Sequence, residues 1–201
     1  MTPTGDPTVE VVQSTPDRAG ALAPVFGRAF VDDPMMRWSL GVHGDVENRV
    51  RRCFSYFLEQ VLEFGVVWEV GVGSGAAVWV PPQAGDVGNR DPWTHPGITA
   101  LTDDGGRRYD TFWAWVESQL PAEPLWQLDS IAVEPTAQGR GLGAALIAAG
   151  LARARADGVS AFLSTGATRN VDIYGRCGFR VVREARSPDA GPTVYFMRWD
   201  P

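Results

Sequence analysis

A glycine-rich run at residues 138–144, Gln-Gly-Arg-Gly-Leu-Gly-Ala, constrains the fold of this chain more than any other segment. It follows an apolar stretch at 125–133 that predicts a strand, and it leads into a helical stretch at 144–156. The first N–H groups of a helix lack partners within the helix, and the helix dipole adds partial positive charge there. Since glycine lets the backbone approach a ligand closely, the run predicts an anion-binding turn, with Arg140 as a further positive charge at its rim.

Two phosphate-binding patterns and one structural role are the alternative interpretations of this run. Gly139, Gly141 and Ala144 loosely match the dinucleotide fingerprint G-x-G-x-x-G/A. That fingerprint expects an acidic residue about 20 positions further on, where this chain has Leu-Ser-Thr at 163–165. The ATP phosphate loop requires a Gly-Lys pair, and the sequence contains no lysine. A glycine turn that only begins the helix is the structural alternative.

A second motif, at 169–180, narrows the choice among these alternatives for the glycine-rich run. Together with the glycine run it resembles the cofactor half of the GNAT-superfamily acyltransferases, whose signatures are Q-x-x-G-x-G/A and N-x-x-x-Y-x-x-x-G-F. The residues that match, in the right order and spacing, are Gln138, Gly141, Gly143, Asn170, Tyr174, Gly178 and Phe179.

The resemblance implies an α/β (α+β) fold with a central mixed, mostly antiparallel sheet flanked by helices, and one parallel pair of strands at the cofactor cleft. It implies acetyl-CoA as co-substrate, with Asn170 near the pantetheine and Tyr174 near the leaving thiolate. The positions implied for the pyrophosphate are Gln138, Gly139, Arg140, Gly141, Leu142, Gly143 and Ala144. Those implied for backbone contacts to the pantetheine and acetyl carbonyl are Ile131, Ala132 and Val133.

Within this superfamily, residues 123–198 are most similar to the puromycin N-acetyltransferases. The likeness includes Glu-Pro-Leu-Trp before the 125–133 strand, Ala-Val-Glu-Pro at its end and Gly-Pro-Thr near the C-terminus. Ser164 stands where those enzymes carry a glutamate, and residues 86–120 depart from them. The fold and the cofactor therefore transfer better than the acceptor substrate.

Two side chains are predicted to be catalytic. A phenol with a reference pKa near ~10 is protonated at neutral pH, so Tyr174 is a candidate proton donor to the thiolate. Asp129 is a carboxylate in an apolar strand, where it is predicted to share a face with Gln127, Ile131 and Val133. It is a candidate general base or an anchor for an amine. The alternatives are an ordinary half-buried tyrosine on a short helix for Tyr174 and a salt bridge or edge exposure for Asp129. For Asn170, a helix N-cap is the alternative or additional role.

The acceptor site is predicted from aromatic and acidic residues in the first half and the 107–120 helix. Phe30, Trp38 and Trp113 are candidates to line an apolar pocket, for which core packing is the alternative. Asp32 and Asp33 are candidates to attract a cationic amine, for which turn and cap chemistry is the alternative.

A single domain over 1–201 is expected, with residues 1–8 frayed and 83–121 forming an insertion of loop and helix. The remaining pattern predicts strands, helices and a hairpin at 9–14, 18–30, 37–40, 46–64, 66–72, 76–80, 107–120, 160–165, 179–186 and 193–199. The 125–133 and 161–165 strands, joined through a helix, are expected to be parallel neighbours.

Composition excludes several classes of protein. The formal net charge of −6 argues against general nucleic-acid binding, and no stretch is long and apolar enough for a membrane span. Two cysteines and two histidines give little material for a disulfide framework or a metal site. The absence of an export signal at the start of the sequence predicts a cytoplasmic protein. A homodimer is compatible with the sequence.

Taken together, the motifs predict an enzyme that moves an acetyl group from acetyl-CoA to the primary amine of a small molecule, with an aminonucleoside-like antibiotic as one candidate acceptor. The alternatives are an acetyltransferase for protein N-termini or lysines, and a CoA-binding protein without catalysis. Antibiotic resistance is the expected role if the acceptor is such an aminonucleoside.

Overall fold

The computed structural model describes residues 9–82 and 93–201. In this part of the chain the strands form one seven-stranded sheet in the order β1-β2-β3-β4-β5-β7-β6. Their bounds are β1 Val11–Gln13, β2 Val66–Val70, β3 Gly75–Val80, β4 Trp126–Val133, β5 Ala161–Thr165, β6 Arg180–Arg186 and β7 Thr193–Trp199. Neighbouring strands are antiparallel except β4 and β5, which are parallel as predicted.

Seven α-helices accompany these strands in the described residues. Their bounds are α1 Ala19–Ala29, α2 Pro34–Leu40, α3 Val46–Val61, α4 Pro96–Thr99, α5 Arg107–Glu117, α6 Leu142–Asp157 and α7 Thr168–Arg176. The predicted elements are thus present, mostly with ends shifted by one to three residues. Helix α4 was not predicted, because its segment was interpreted as loop. The part of that predicted loop at 83–92 lies outside the described residues, as do residues 1–8.

The sheet separates two hydrophobic layers. Helices α1 and α3 pack on one face around Phe26, Phe54 and Phe57. Helix α6 packs on the other face against Trp79, Leu128 and Trp126. A third cluster joins α5, the start of α2 and the inner strands β5 and β7. Among the described residues, no helix combines the length and apolar character that crossing a bilayer requires.

Close contact between α6 and the sheet depends on Gly150. A Cβ at this position would lie 2.0 Å from Cε2 of Trp79, which is completely buried. Since no atom fits at that distance, the missing side chain allows the helix to approach the ring. Helix α6 in turn fixes its own N-terminus, and therefore the glycine run, beside the end of β4.

Candidate active site

The two parallel strands part shortly after they meet. Trp126 pairs with Ala161 and Gln127 with Phe162, and the pairing ends there, although β4 continues to Val133 and β5 to Thr165. A cleft of about 610 Å³ lies at this divergence. Its walls come from α2 with its cap Asp33, α3, α5, β4, β5 and α7, together with Phe30, Phe64 and the segments at 80–82, 93 and 120–125.

A β-bulge in β4 changes which face its residues use. Val78 pairs with Ser130, but the next residue, Trp79, pairs with Leu128, so Asp129 is the extra residue. Directly opposed residues share a face. Ser130 therefore faces the α1/α3 layer with Val78, whereas Leu128 faces α6 with Trp79.

The bulge corrects the predicted alternation along β4. Ile131 and Val133 pack against the α6 layer. Gln127 pairs with Val80, which packs against the α1/α3 layer. The expectation that Gln127, Asp129, Ile131 and Val133 share one face is wrong, because a bulge puts two successive residues on the same side of a strand.

Asp129 faces the α1/α3 side of the sheet, where it contacts the indole of Trp93. Its Oδ2 accepts a hydrogen bond from Nε1 of Trp93 at 3.2 Å. The Trp93 ring stacks on Trp113, with centroids 5.5 Å apart and ring planes within 4°. All three residues line the cleft. Asp129 therefore presents a carboxylate in an aromatic wall of the cleft.

Tyr174 and Asn170 lie one helical turn apart on α7, and both line the cleft. Burial raises the pKa of Tyr174, and the nearby charge of Asp33 raises it further. The phenol is therefore protonated throughout the neutral range. The Asn170 amide donates to Oγ1 of Thr165 at 3.3 Å. Asn170 is not the helix N-cap, because α7 begins at Thr168 with Ala167 in that position.

Asp33 caps helix α2 and lines the same cleft. Its Oδ1 accepts from the backbone N–H groups of Met35 and Met36, each at 2.9 Å. Burial raises the pKa of this carboxyl group, while those two N–H groups and the charge of Arg169 act in the opposite direction. Asp33 therefore caps α2 and also lies in the cleft lining.

The glycine run forms a turn with open space above it. Gly139 and Gly141 have φ values of +77° and +79°, which suit glycine, and a Cβ at either position would meet no atom within 4 Å. Gln138 donates from Nε2 to the Val133 carbonyl at 3.1 Å, and Arg140 donates from Nη2 to the Thr136 carbonyl at 3.3 Å.

Helix α6 starts directly from this turn. Its N-cap is Gly141, which has no side chain to cap the helix, so the first N–H groups at Leu142, Gly143 and Ala144 have no side-chain cap. The open turn fits a diphosphate such as that of acetyl-CoA.

Two predicted acceptor residues lie outside the cleft. The side chain of Asp32 is 80% exposed and lies 3.5 Å from Nη1 of Arg37. Trp38 packs in the cluster with Phe112 and Phe196, and the Arg108 guanidinium lies over its ring at 5.4 Å. The structure brings Phe30, Asp33 and Trp113 to the cleft, but not these two.

Acidic and aromatic residues characterise the acceptor side. The carboxyl-bearing side chains that line the cleft are Asp33, Glu117, Glu123 and Asp129, and no arginine or histidine joins them in the described lining. Sequence reasoning missed Trp93 and Ser130. Trp93 lies in a segment of loop composition, and nothing local indicates that it contacts β4. The described residues contain no group of three or more potential metal ligands.

Comparison with known proteins agrees with this geometry. A model of the acetyltransferase (GNAT) family matches residues 81–179. A crystal structure described as histone acetyltransferase HPA2 and related acetyltransferase, from Corynebacterium glutamicum, superimposes with a TM-score of 0.70 at 24% identity, covering 96% of each chain. The chain has the GNAT fold.

The chain is also similar to two further acetyltransferases. A polyamine N-acetyltransferase of Drosophila melanogaster superimposes with a TM-score of 0.64 at 15% identity, covering 96% of this chain and all of that one. The mycothiol acetyltransferase of Mycolicibacterium gilvum is 35% identical over 127 residues, which are 55% of this chain and 41% of that protein. This chain thus spans less than half the length of the curated relatives it matches. The resemblance to puromycin N-acetyltransferases stays an expectation from sequence.

Proposed function

We propose that this protein is an acetyl-CoA-dependent N-acetyltransferase for a small primary amine with an apolar, aromatic-binding body. One observation carries the proposal: a protonated phenol, Tyr174, and two carboxylates, Asp33 and Asp129, line one cleft where β4 and β5 part. Acetyl transfer to an amine needs a proton donor for the leaving thiolate and a proton acceptor for the attacking nitrogen.

The cofactor half of the proposal rests on the turn at 138–144. Its open glycine positions and the start of α6 provide N–H donors for a diphosphate. The Asn170 amide and the backbone of Ile131 and Ala132 are proposed to bind the pantetheine arm, which both donates and accepts hydrogen bonds. Bound there, acetyl-CoA supplies the thioester acetyl group.

The acceptor half rests on charge and shape. The carboxyl groups of Asp33, Glu117 and Asp129 in the lining attract a positively charged amine, and the rings of Phe30, Trp93 and Trp113 suit an apolar body. The fourth carboxyl group of the lining, that of Glu123, already pairs with Arg198. Asp129 is proposed to orient the amine and to take its proton directly or through water, because a charged amine has no free lone pair. Tyr174 then holds its proton at Oη until the thiolate leaves. Holding both reactants in one cleft lowers the entropic part of the barrier.

A similar structure and the sequence resemblance support the proposed class of acceptor. A polyamine N-acetyltransferase with this fold also acts, by its name, on amines. An aminonucleoside-like antibiotic combines a primary amine with an aromatic body and is the candidate that the sequence resemblance favours. Cytoplasmic location and a homodimer remain proposals of the same kind.

An acceptor screen tests the function. The protein is incubated with acetyl-CoA and single acceptors, and the free thiol released is measured. The panel contains puromycin, phenethylamine, agmatine and peptides with free N-termini or lysines. We expect thiol release with at least one small amine. Efficient turnover of peptides alone would replace this proposal by a protein acetyltransferase, and CoA binding without any turnover by a catalytically silent protein.

A further inference from the structure

Two polar groups in the cleft wall have no hydrogen-bond partner among the described residues. They are the hydroxyl group of Ser130 and the indole N–H of Trp113. Both residues line the cleft, and Ser130 is only 5% exposed. A buried polar group without a partner destabilises a protein, so such groups in a native structure require an explanation.

The bulge at Asp129 explains why Ser130 belongs to the acceptor side. It turns Ser130 towards the α1/α3 layer, against which Trp93 and Trp113 also pack. The N-terminus of α6, with its anion-binding turn, belongs to the opposite face. Ser130 and Trp113 therefore bound the acceptor half of the cleft.

The protonated amine leaves both donor hydrogens without an acceptor, although the Ser130 oxygen can itself accept a hydrogen bond from an amine. A protonated amine only donates hydrogen bonds, and the carboxylates of Asp33 and Asp129 are its complement. The indole N–H of Trp113 also only donates, and the Ser130 hydroxyl has a hydrogen to donate. These two donors need a different atom of the substrate, one that accepts hydrogen bonds and carries no positive charge.

We propose that Ser130 and Trp113 form a second polar subsite, which binds a neutral hydrogen-bond acceptor of the substrate such as an ether oxygen, a carbonyl oxygen or an aromatic nitrogen. This inference rests on the proposed function and refines it. The acceptor is an amine whose apolar body carries such an atom, and a purely hydrocarbon amine of the same shape is a poorer substrate.

Matched amines test the subsite. The pairs are 4-methoxyphenethylamine with 4-ethylphenethylamine, and 4-methoxybenzylamine with 4-ethylbenzylamine, in which an ether oxygen replaces a methylene while the amine is unchanged. Binding to the CoA-loaded protein is measured by calorimetry, and turnover by thiol release. We expect the ether of at least one pair to bind about tenfold more tightly, the usual size of one well-placed hydrogen bond.

Variants connect that preference to the two residues. Ser130→Ala and Trp113→Phe should each remove most of the ether preference and leave the KM for acetyl-CoA unchanged. Ser130→Ala should also be at least as stable as the parent protein, because it removes an unpaired hydroxyl. Ser39→Ala is the control for Ser130, since Ser39 is also buried, donates to the Met36 carbonyl at 3.4 Å and does not line the cleft. Trp115→Phe is the control for Trp113, since Trp115 does not line the cleft either.

The possible outcomes are distinct. Equal or weaker binding of the ethers in both pairs, or no binding of either pair, overturns the subsite. A raised KM for acetyl-CoA in Ser130→Ala with an intact ether preference also overturns it, because Ser130 would then serve the cofactor. If no amine is acetylated, the proposed function fails, and the calorimetric preference and its loss in the variants still decide whether the subsite exists.

Discussion

The indole of Trp93 donates its N–H to the carboxylate of Asp129 across 36 positions of sequence, at 3.2 Å. This bond joins the segment before α4 to the bulge of β4, and it directs a carboxylate into the cleft.

Replacing Asp129 tests its proposed role as base or anchor. In Asp129→Asn the amide oxygen can still accept from Trp93, so the wall is retained while the charge and basicity are lost. We expect kcat/KM for the best amine to fall ~10²–10⁴-fold, the range for a positioned base. Activity across pH is measured for both proteins. An unchanged kcat/KM at every pH would leave Asp129 with a structural role only.

Tyr174→Phe tests the proton donor. The ring packs against Phe179 with centroids 6.2 Å apart, and phenylalanine preserves that contact. We expect kcat to fall ~10²–10⁴-fold with little change in the KM for acetyl-CoA, because only the proton donor is lost. Tyr195→Phe, at a tyrosine outside the cleft lining, is the control and should keep full activity. Wild-type turnover by Tyr174→Phe would assign Tyr174 to packing.

The local part of this site could be predicted from sequence, and the tertiary part could not. Spacing within one helix places Asn170 and Tyr174 one turn apart, and a glycine run between a strand and a helix predicts the anion turn. The bulge at Asp129 leaves no such signal, because the burial along β4 still alternates regularly. The strand therefore looks regular in sequence, although the successive residues Asp129 and Ser130 lie on the same face of it.

The aromatic residues show the same limit. The sequence makes Trp38 and Trp113 equal candidates to line the acceptor pocket, yet only Trp113 lines the cleft. The packing of α2 against α5 decides which ring faces inward. Asp32 and Asp33 are sequence neighbours. The cap of α2 uses Asp33 and draws it inward, while Asp32 points to solvent.

Gly143→Val tests the diphosphate site. The change at Gly141 is less informative, because its φ of +79° makes any side chain strained. A Cβ at Gly143 meets only Cγ2 of Val133, at 3.8 Å, which is ordinary contact. We expect weaker CoA binding by calorimetry in a protein that still folds. Gly20→Val, at an exposed position of α1 with no atom within 4 Å of a Cβ, is the control. Equal CoA affinity of Gly143→Val and the parent would contradict the site.

Gly150→Ala tests the packing of α6 on the sheet. Alanine usually stabilises a helix by roughly 0.5–1 kcal/mol relative to glycine. At Gly150 the new Cβ would overlap the Trp79 ring, so we expect a net loss of about 1–3 kcal/mol in the free energy of unfolding. Urea denaturation measures it, with Gly20→Ala as the control that should gain stability. A gain at both positions would show that α6 moves away from Trp79 without cost.

Asp33→Asn tests the coupling between Asp33 and Tyr174 through pH. Burial raises the pKa of Asp33 in the folded protein, so its contribution to stability is complete below the unfolded pKa and is lost as pH rises through the folded value. Asparagine is neutral and also a good N-cap, so the stability of Asp33→Asn relative to the parent should rise from about pH 3 to pH 7.

Removing the charge of Asp33 also removes one cause of the raised pKa of Tyr174, so the alkaline loss of kcat should begin at lower pH. Chemical denaturation and kcat profiles over pH measure these effects. Asp45→Asn makes the same change at the exposed N-cap of α3 and should alter neither. A constant stability difference with an unshifted alkaline limb would mean that Asp33 caps α2 without influencing the phenol.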